Sequence, residues 1–224
     1  WRNSIQRRKR HKEVFFSSYI KTQRYYLRPM QLHTIHNGNF KLDGGAMFGV
    51  VPKKLWSRTN PTDANNLCPW AMRSLLIEDG DKLILIDCGL GDKQSEKFFR
   101  HYHPHGDDSL EKSLSSAGFS LDDITDVFLT HLHFDHVGGA VEWNDARDGY
   151  RPSFKNAIYW SNSRHWKWAT EPNARERASF LSENILPLQE SGQLKFVDAS
   201  DDDLRVNTGL GFDAFVVNGH TDAQ

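Results

Sequence analysis

His131-Leu132-His133-Phe134-Asp135-His136 is the stretch on which the reading of this chain turns. It follows a short apolar run, Asp126 to Thr130, that reads as a strand, and it leads into Val137-Gly138-Gly139. In extended backbone, residues two apart point to the same side, so His131 and His133 present two imidazoles to one ion. Asp135 and His136 follow as the chain turns and add a hard carboxylate and a third imidazole. Gly138-Gly139 lets the backbone turn tightly with no side chain in the way. Three imidazoles and a carboxylate in six residues suit Zn²⁺, and Fe²⁺, Mn²⁺ or Co²⁺ also fit such a donor set. A cluster this dense has room for two ions. The competing reading is a histidine-rich surface loop that binds nothing. The ordered spacing, set between an apolar strand and a Gly-Gly pair, weighs against it.

Two further pieces belong with this segment. The apolar run Phe212 to Val217, broken only by Asp213, reads as a strand that ends in Asn218-Gly219-His220-Thr221. A lone histidine there is more often a bystander, but beside an HxHxDH segment His220 becomes a candidate third imidazole for the first ion. Asp87 closes the apolar run Lys82 to Ile86 and precedes Cys88-Gly89. It reads either as a turn residue or as the carboxylate that orients a metal-bound imidazole, a partner such sites usually need.

Away from the motif, the chain has 224 residues, 38% hydrophobic and 25% charged, with a net charge of -1. That balance gives no electrostatic argument for nucleic acid or membrane partners. No apolar run approaches the roughly 18–20 residues that span a bilayer. The two cysteines, Cys68 and Cys88, make no disulfide framework, and Cys88 suits a buried, reduced thiol. No clear secretory signal is visible, and a cytoplasmic location is expected. Residues 1–29 carry the basic run Arg7-Arg8-Lys9-Arg10-His11-Lys12 and read as a disordered arm; residues 30–224 read as one folded domain.

Within that domain Gln31 to His36 alternates like a strand, and Asn37-Gly38-Asn39 is turn chemistry. Gly44 to Pro61 reads as a loop. Ala71 to Glu78 and Lys82 to Asp87 read as a hairpin joined at Asp79-Gly80-Asp81. Lys93 to Tyr102, Ser109 to Ala117 and Ala174 to Glu190 read as helices, the last interrupted near Pro187. Ala157 to Trp160 and Leu194 to Val197 read as strands. Hairpins mixed with alternating strands and helices favour an α/β fold with packed sheets and helices outside.

Three segments in order, Ile86-Asp87-Cys88-Gly89, Thr130 to Gly139 and Gly219-His220-Thr221, resemble the successive motifs of the metallo-β-lactamase superfamily. Leu42-Asp43-Gly44-Gly45-Ala46-Met47-Phe48-Gly49-Val50-Val51-Pro52-Lys53 is similar to a narrower group, the quorum-quenching N-acyl-homoserine lactone lactonases and their organophosphate-hydrolysing relatives. The resemblance implies an αββα sandwich with metals at one edge of its two sheets. It implies His131, His133 and His220 on one ion, Asp135 and His136 on the other, and two Zn²⁺ per complete site. It also implies a bridging aspartate and a final histidine further along. Neither lies before Gln224, so a domain truncated at its C-terminus is expected, with a weakened second metal site.

The implied chemistry is attack of a metal-bound hydroxide on a lactone carbonyl, with Asp135 carrying the proton to the leaving alkoxide. Met47 and Phe48, with Leu55 and Trp56, either line an acyl-chain pocket or pack beneath a long loop. The expected partner is a small acyl lactone or ester, with no nucleic acid or membrane; the oligomeric state is left open. Phosphotriester hydrolysis on the same centre and a non-catalytic relative are the alternatives. A nucleic-acid-processing role has only the basic arm to support it.

Overall fold

The computed structural model describes residues 29–198 and 205–224. The basic run and nearly all of the expected arm lie outside the described residues. β1 (Gln31–Asp43) leads into two short helices, α1 (Gly44–Phe48) and α2 (Lys53–Trp56). β2 (Leu67–Asp79) and β3 (Lys82–Ile86) follow, then α3 (Glu96–Tyr102), α4 (Leu110–Ser116), β4 (Asp126–Phe128) and α5 (Phe134–Val137). The chain continues through β5 (Val141–Trp143), β6 (Tyr150–Pro152), β7 (Ile158–Ser161), α6 (Ser163–Thr170), α7 (Ser182–Glu190), β8 (Leu194–Phe196), β9 (Arg205–Asn207) and β10 (Asp213–Phe215).

One six-stranded sheet, in the order β1-β2-β3-β4-β7-β8, organises these elements. β1, β2 and β3 are antiparallel, whereas β3, β4, β7 and β8 run parallel. Register sorts the side chains. Leu76, Leu85, Val127 and Tyr159 sit side by side across four strands, all buried on one face. Leu114 of α4, Trp166 of α6, and Ile185 and Leu188 of α7 complete that core. The next residues along, Ile86, Phe128 and Trp160, fall on the opposite face with Ile77 and Ile84. There they meet Leu210 and Phe212 from the β9–β10 hairpin, beside an apolar groove of about 480 Å³.

The Gly80-Asp81 turn of the predicted hairpin is present, with Asp79 opposite Lys82 and Gly80 at φ 61°. Elsewhere tertiary context moves the boundaries. Asn37-Gly38-Asn39 is not a turn but a bulge inside β1: the register with β2 shifts between His36 and Asn39, and Gly38 takes φ 92°. The stretch from Gly44 to Pro61 is not simply a loop. Asp43 caps α1 by accepting the N–H groups of Gly45 and Ala46, and Gly44 packs where a Cβ would lie 2.2 Å from the Trp56 ring.

The first two helices read from the sequence start later, at Glu96 and Leu110, each capped by the serine just before it. The third expected helix is present only from Ser182 to Glu190 and runs through Pro187. Upstream of it, Asn173 Oδ1 accepts the N–H groups of Arg175 and Glu176, which diverts the backbone into turns. α6 was not anticipated. Among the described residues, no helix is long and apolar enough to cross a membrane.

Candidate metal centre

Loops at the carboxyl ends of parallel strands are where open α/β sheets gather their chemistry. β3 ends at Ile86 and delivers Asp87; β4 ends at Phe128 and delivers Thr130 to His136; β7 ends at Ser161 and delivers α6. The Gly-Gly pair has a different job from the one its type suggests. A Cβ on Gly138 would stand 2.0 Å from the Leu90 carbonyl oxygen, and one on Gly139 would stand 2.2 Å from that of Cys88. Both glycines are therefore required by close approach of the Cys88–Gly91 backbone. The Cys88 N–H donates to the His136 carbonyl at 2.7 Å in the same contact.

His131, His133 and His220 come together: each offers a ring nitrogen within 4.8 Å of those of the others. His131 and His133 are buried, 5% and 6% exposed, and His220 lies exposed on a loop. The Nε2 atoms of His131 and His133 are buried with no hydrogen-bond partner. Buried polar atoms are seldom left orphaned, so His131 Nε2, set among three imidazoles, points to an ion as its missing partner; His133 faces His220 through Nδ1, so its own unpartnered Nε2 lies on the far side of the ring. Burial, reinforced by the neighbouring imidazoles, pushes His131 far below the usual histidine range and takes His133 down to about 3. Both rings are thus neutral near pH 7, the form a metal requires. Spacing agrees: two nitrogens on one tetrahedral zinc lie about 3.3 Å apart, and His133 Nδ1 and His220 Nε2 are 3.0 Å apart. The residues fit a divalent ion.

Asp135 and His136 are placed differently. The His136 ring lies 4.0 Å from that of His131, but its Nδ1 is 2.7 Å from Asp87 Oδ2 and its Nε2 is 3.7 Å from Asp135 Oδ2. Burial disfavours the charged imidazole, yet the Asp87 hydrogen bond and the two carboxylates outweigh it and raise the His136 pKa. Burial likewise pushes the Asp135 carboxyl up. Asp87, at φ 60°, also accepts the Thr130 N–H at 2.9 Å and its hydroxyl at 2.8 Å. Asp87 therefore ties the end of β3 to both ends of the histidine segment. Thr130 opens the motif segment but has no role legible in the sequence; its pairing with Asp87 supplies one.

Met47 is 41% exposed on α1. Phe48 stacks on Trp56 at 4.6 Å and leans on Trp70 at 5.8 Å. Trp70 packs against the cluster of Phe40, Met72, Leu90 and Phe134, so this aromatic contact runs back to the residue between His133 and Asp135. Phe48 is both packed and continuous with the wall beside the histidines.

The metallo-beta-lactamase superfamily profile matches residues 73–223. Probable metallo-hydrolases of Mycobacterium bovis and Mycobacterium tuberculosis are each 30% identical over 118 residues, covering 45% of this chain and 37% of theirs. The chain thus aligns with little more than a third of the length of these relatives. The crystal structure of a probable metal-dependent hydrolase from Staphylococcus aureus superposes with a TM-score of 0.76 at 28% identity, covering 88% of this chain and 68% of that one. A dizinc quorum-quenching lactonase with a homoserine product shares the fold, with a TM-score of 0.56, 24% identity, and coverage of 77% and 59%.

Proposed function

This chain belongs to the metallo-beta-lactamase superfamily, and from that premise we propose that it is a metal-dependent hydrolase that opens the ring of an N-acyl lactone. The observation that carries the hydrolytic reading is the convergence of three imidazoles, with His131 Nε2 buried and unpartnered and His133 Nδ1 3.0 Å from His220 Nε2. His131, His133 and His220 would hold one divalent ion, zinc being the natural choice for an all-imidazole set, and Asp135 and His136 would contribute to a second. When bound, such ions polarise a carbonyl oxygen and acidify water toward neutral pH.

The chain's own residues do the rest. Asp87 fixes the His136 ring through Nδ1 and leaves Nε2 facing Asp135. Asp135 is part-buried and its carboxyl is pushed up by burial, which suits a group that takes a proton and gives it to a leaving alkoxide. Phe134 and Tyr102, with rings 4.6 Å apart, put an apolar wall next to that carboxyl.

Support for the acyl-lactone half is the Leu42 to Lys53 segment. Its Asp43 cap and its Gly44–Trp56 contact build a platform that carries Met47 and Phe48, with Leu55 and Val51 exposed nearby. An apolar platform suits an acyl chain better than a charged substrate. The test is a panel of acyl-homoserine lactones of several chain lengths beside an aryl phosphotriester, run with and without chelator. The expected result is lactone opening that chelation abolishes and zinc, manganese or cobalt restores. Phosphotriester turnover with none on any lactone would transfer the assignment to phosphotriester hydrolysis.

A further inference from the structure

Three imidazoles can share an ion only if the two segments that carry them are held in register. His131 and His133 belong to one segment and His220 to another, 87 residues after His133 in the chain. His220 is exposed, on a loop where Gly219 takes φ 138°. β10 ends at Phe215, and the loop beyond it closes on itself through reciprocal Val217–Gln224 backbone bonds and the Ala223 N–H given to Asn218 Oδ1, so its placement against His131 and His133 needs a tie from outside the loop. We infer that α6 is the positioning element of this centre, with His165 as the strut that sets His220 against His131 and His133. This rests on the metal-centre reading above.

His165 is 1% exposed, on the first turn of α6. Its Nε2 is 2.9 Å from the Leu132 backbone nitrogen, whose N–H it accepts. Its Nδ1 is 2.6 Å from the Asp222 carbonyl oxygen. The two bonds settle the tautomer. An amide N–H can give only to a bare ring nitrogen, so Nε2 is unprotonated, and a carbonyl can only accept, so Nδ1 carries the hydrogen. Both nitrogens are used, and His165 is therefore not itself a ligand. Leu132 lies between His131 and His133, and Asp222 lies two residues beyond His220. One neutral imidazole thus bridges the backbones of both ligand-bearing segments.

Neighbouring residues grip the same loop. Asn162 Oδ1 accepts the N–H groups of Arg164 and His165, which fixes the start of α6. The Arg164 guanidinium forks onto the Asp222 carboxylate, through Nε at 2.8 Å and Nη2 at 2.6 Å. Glu176 accepts the Thr221 hydroxyl at 2.7 Å and the Trp168 indole N–H at 2.9 Å. Phe180 packs on both the His165 and His133 rings. A core histidine with only a packing role has no need of two directed bonds to two ligand segments, nor of neighbours that hold the same loop.

The test separates positioning from packing. His165→Phe keeps the bulk and loses both bonds; His165→Gln can still accept and donate. The full chain of each is titrated with Co²⁺ against a chromophoric chelator. Visible absorption reports coordination, and near-ultraviolet circular dichroism of the metal-free protein reports the fold. The expected result is a folded His165→Phe that binds cobalt roughly 10–100-fold more weakly with an altered visible spectrum, while His165→Gln recovers most of both. Wild-type affinity and spectrum in His165→Phe would overturn the inference. Should that variant not fold, Arg164→Met, which loosens the same loop from the surface, is read in its place: weakened binding supports the clamp and wild-type binding overturns it. A wild-type chain that binds no cobalt, or a His220→Ala chain that binds it normally, would instead overturn the metal-centre reading.

Discussion

The two halves of the histidine segment are built on opposite terms. On one side, His131 and His133 converge with His220, each keeps a buried Nε2 without a hydrogen-bond partner, and burial keeps both rings uncharged. On the other, His136 is already paired with Asp87, and the nearby carboxylates favour its charged form. The first half is an incomplete set that a cation would complete. In the second half Asp87 already takes His136 Nδ1 and leaves Nε2 facing Asp135 at 3.7 Å, and an ion there must compete with a proton for that ring. Four residues of one short motif thus make two environments, because only the second lies within reach of the carboxylate at the end of β3.

The largest effect expected from this difference is on metal content. His131→Ala combined with His133→Ala should reduce bound metal to background by elemental analysis, whereas His136→Ala should retain one ion per chain. Equal loss in both would erase the distinction between the halves.

Lys93 sharpens the comparison from below. It is buried, donates to the Gly138 carbonyl just after the second half, and burial takes its pKa down to about 8, against the pull of Glu183 and Asp92. Its folded value lies below its unfolded value of 10.5, so between those two pH values the unfolded chain binds more protons and stability rises with pH. Below pH 8 both states are charged and the burial cost is constant. Guanidinium unfolding of wild type and Lys93→Met should show the wild type gaining on the variant by about 3 kcal/mol across that window. A flat difference would mean that the lysine is not held as a desolvated cation.

Asp87→Asn keeps the shape of the carboxylate and removes its charge. Metal affinity should fall roughly 10–100-fold, with the loss confined to the ion near His136 in a two-step titration. The smallest effect concerns the basic arm. If residues 30–224 are the folded unit, removing residues 1–29 should move the melting temperature by no more than about 2 °C, since surface changes rarely exceed about 0.5 kcal/mol. A larger drop would show that the arm packs on the domain.

Much of this was legible in the sequence because it is local. The hairpin at Asp79 to Lys82 needs only two alternating runs and a glycine that accepts φ 61°. The donor set needs only spacing. What was illegible depends on distant partners. Asn37-Gly38-Asn39 has the composition of a turn, but β2 continues opposite it, and the ladder absorbs the extra residues as a bulge. Residues 174–181 have helical periodicity, but the Asn173 side chain captures the N–H groups that a helix would use. His165 has no spacing that marks it, because both its partners are backbone groups far away in the chain.

By itself, then, the sequence determined which donors exist and which of them are neighbours along the backbone, since alternation in an extended segment is a property of the chain alone. It also determined the apolar runs whose alternation sorts the two sheet faces. Only the tertiary structure decided what each donor faces. Burial strips charge from His131 and His133, Asp87 favours the charged form of His136, and a loop held by α6 returns His220 to His133, 87 positions earlier. Charge state and convergence depend on solvent exclusion and on contacts between remote segments, and neither is written in local spacing.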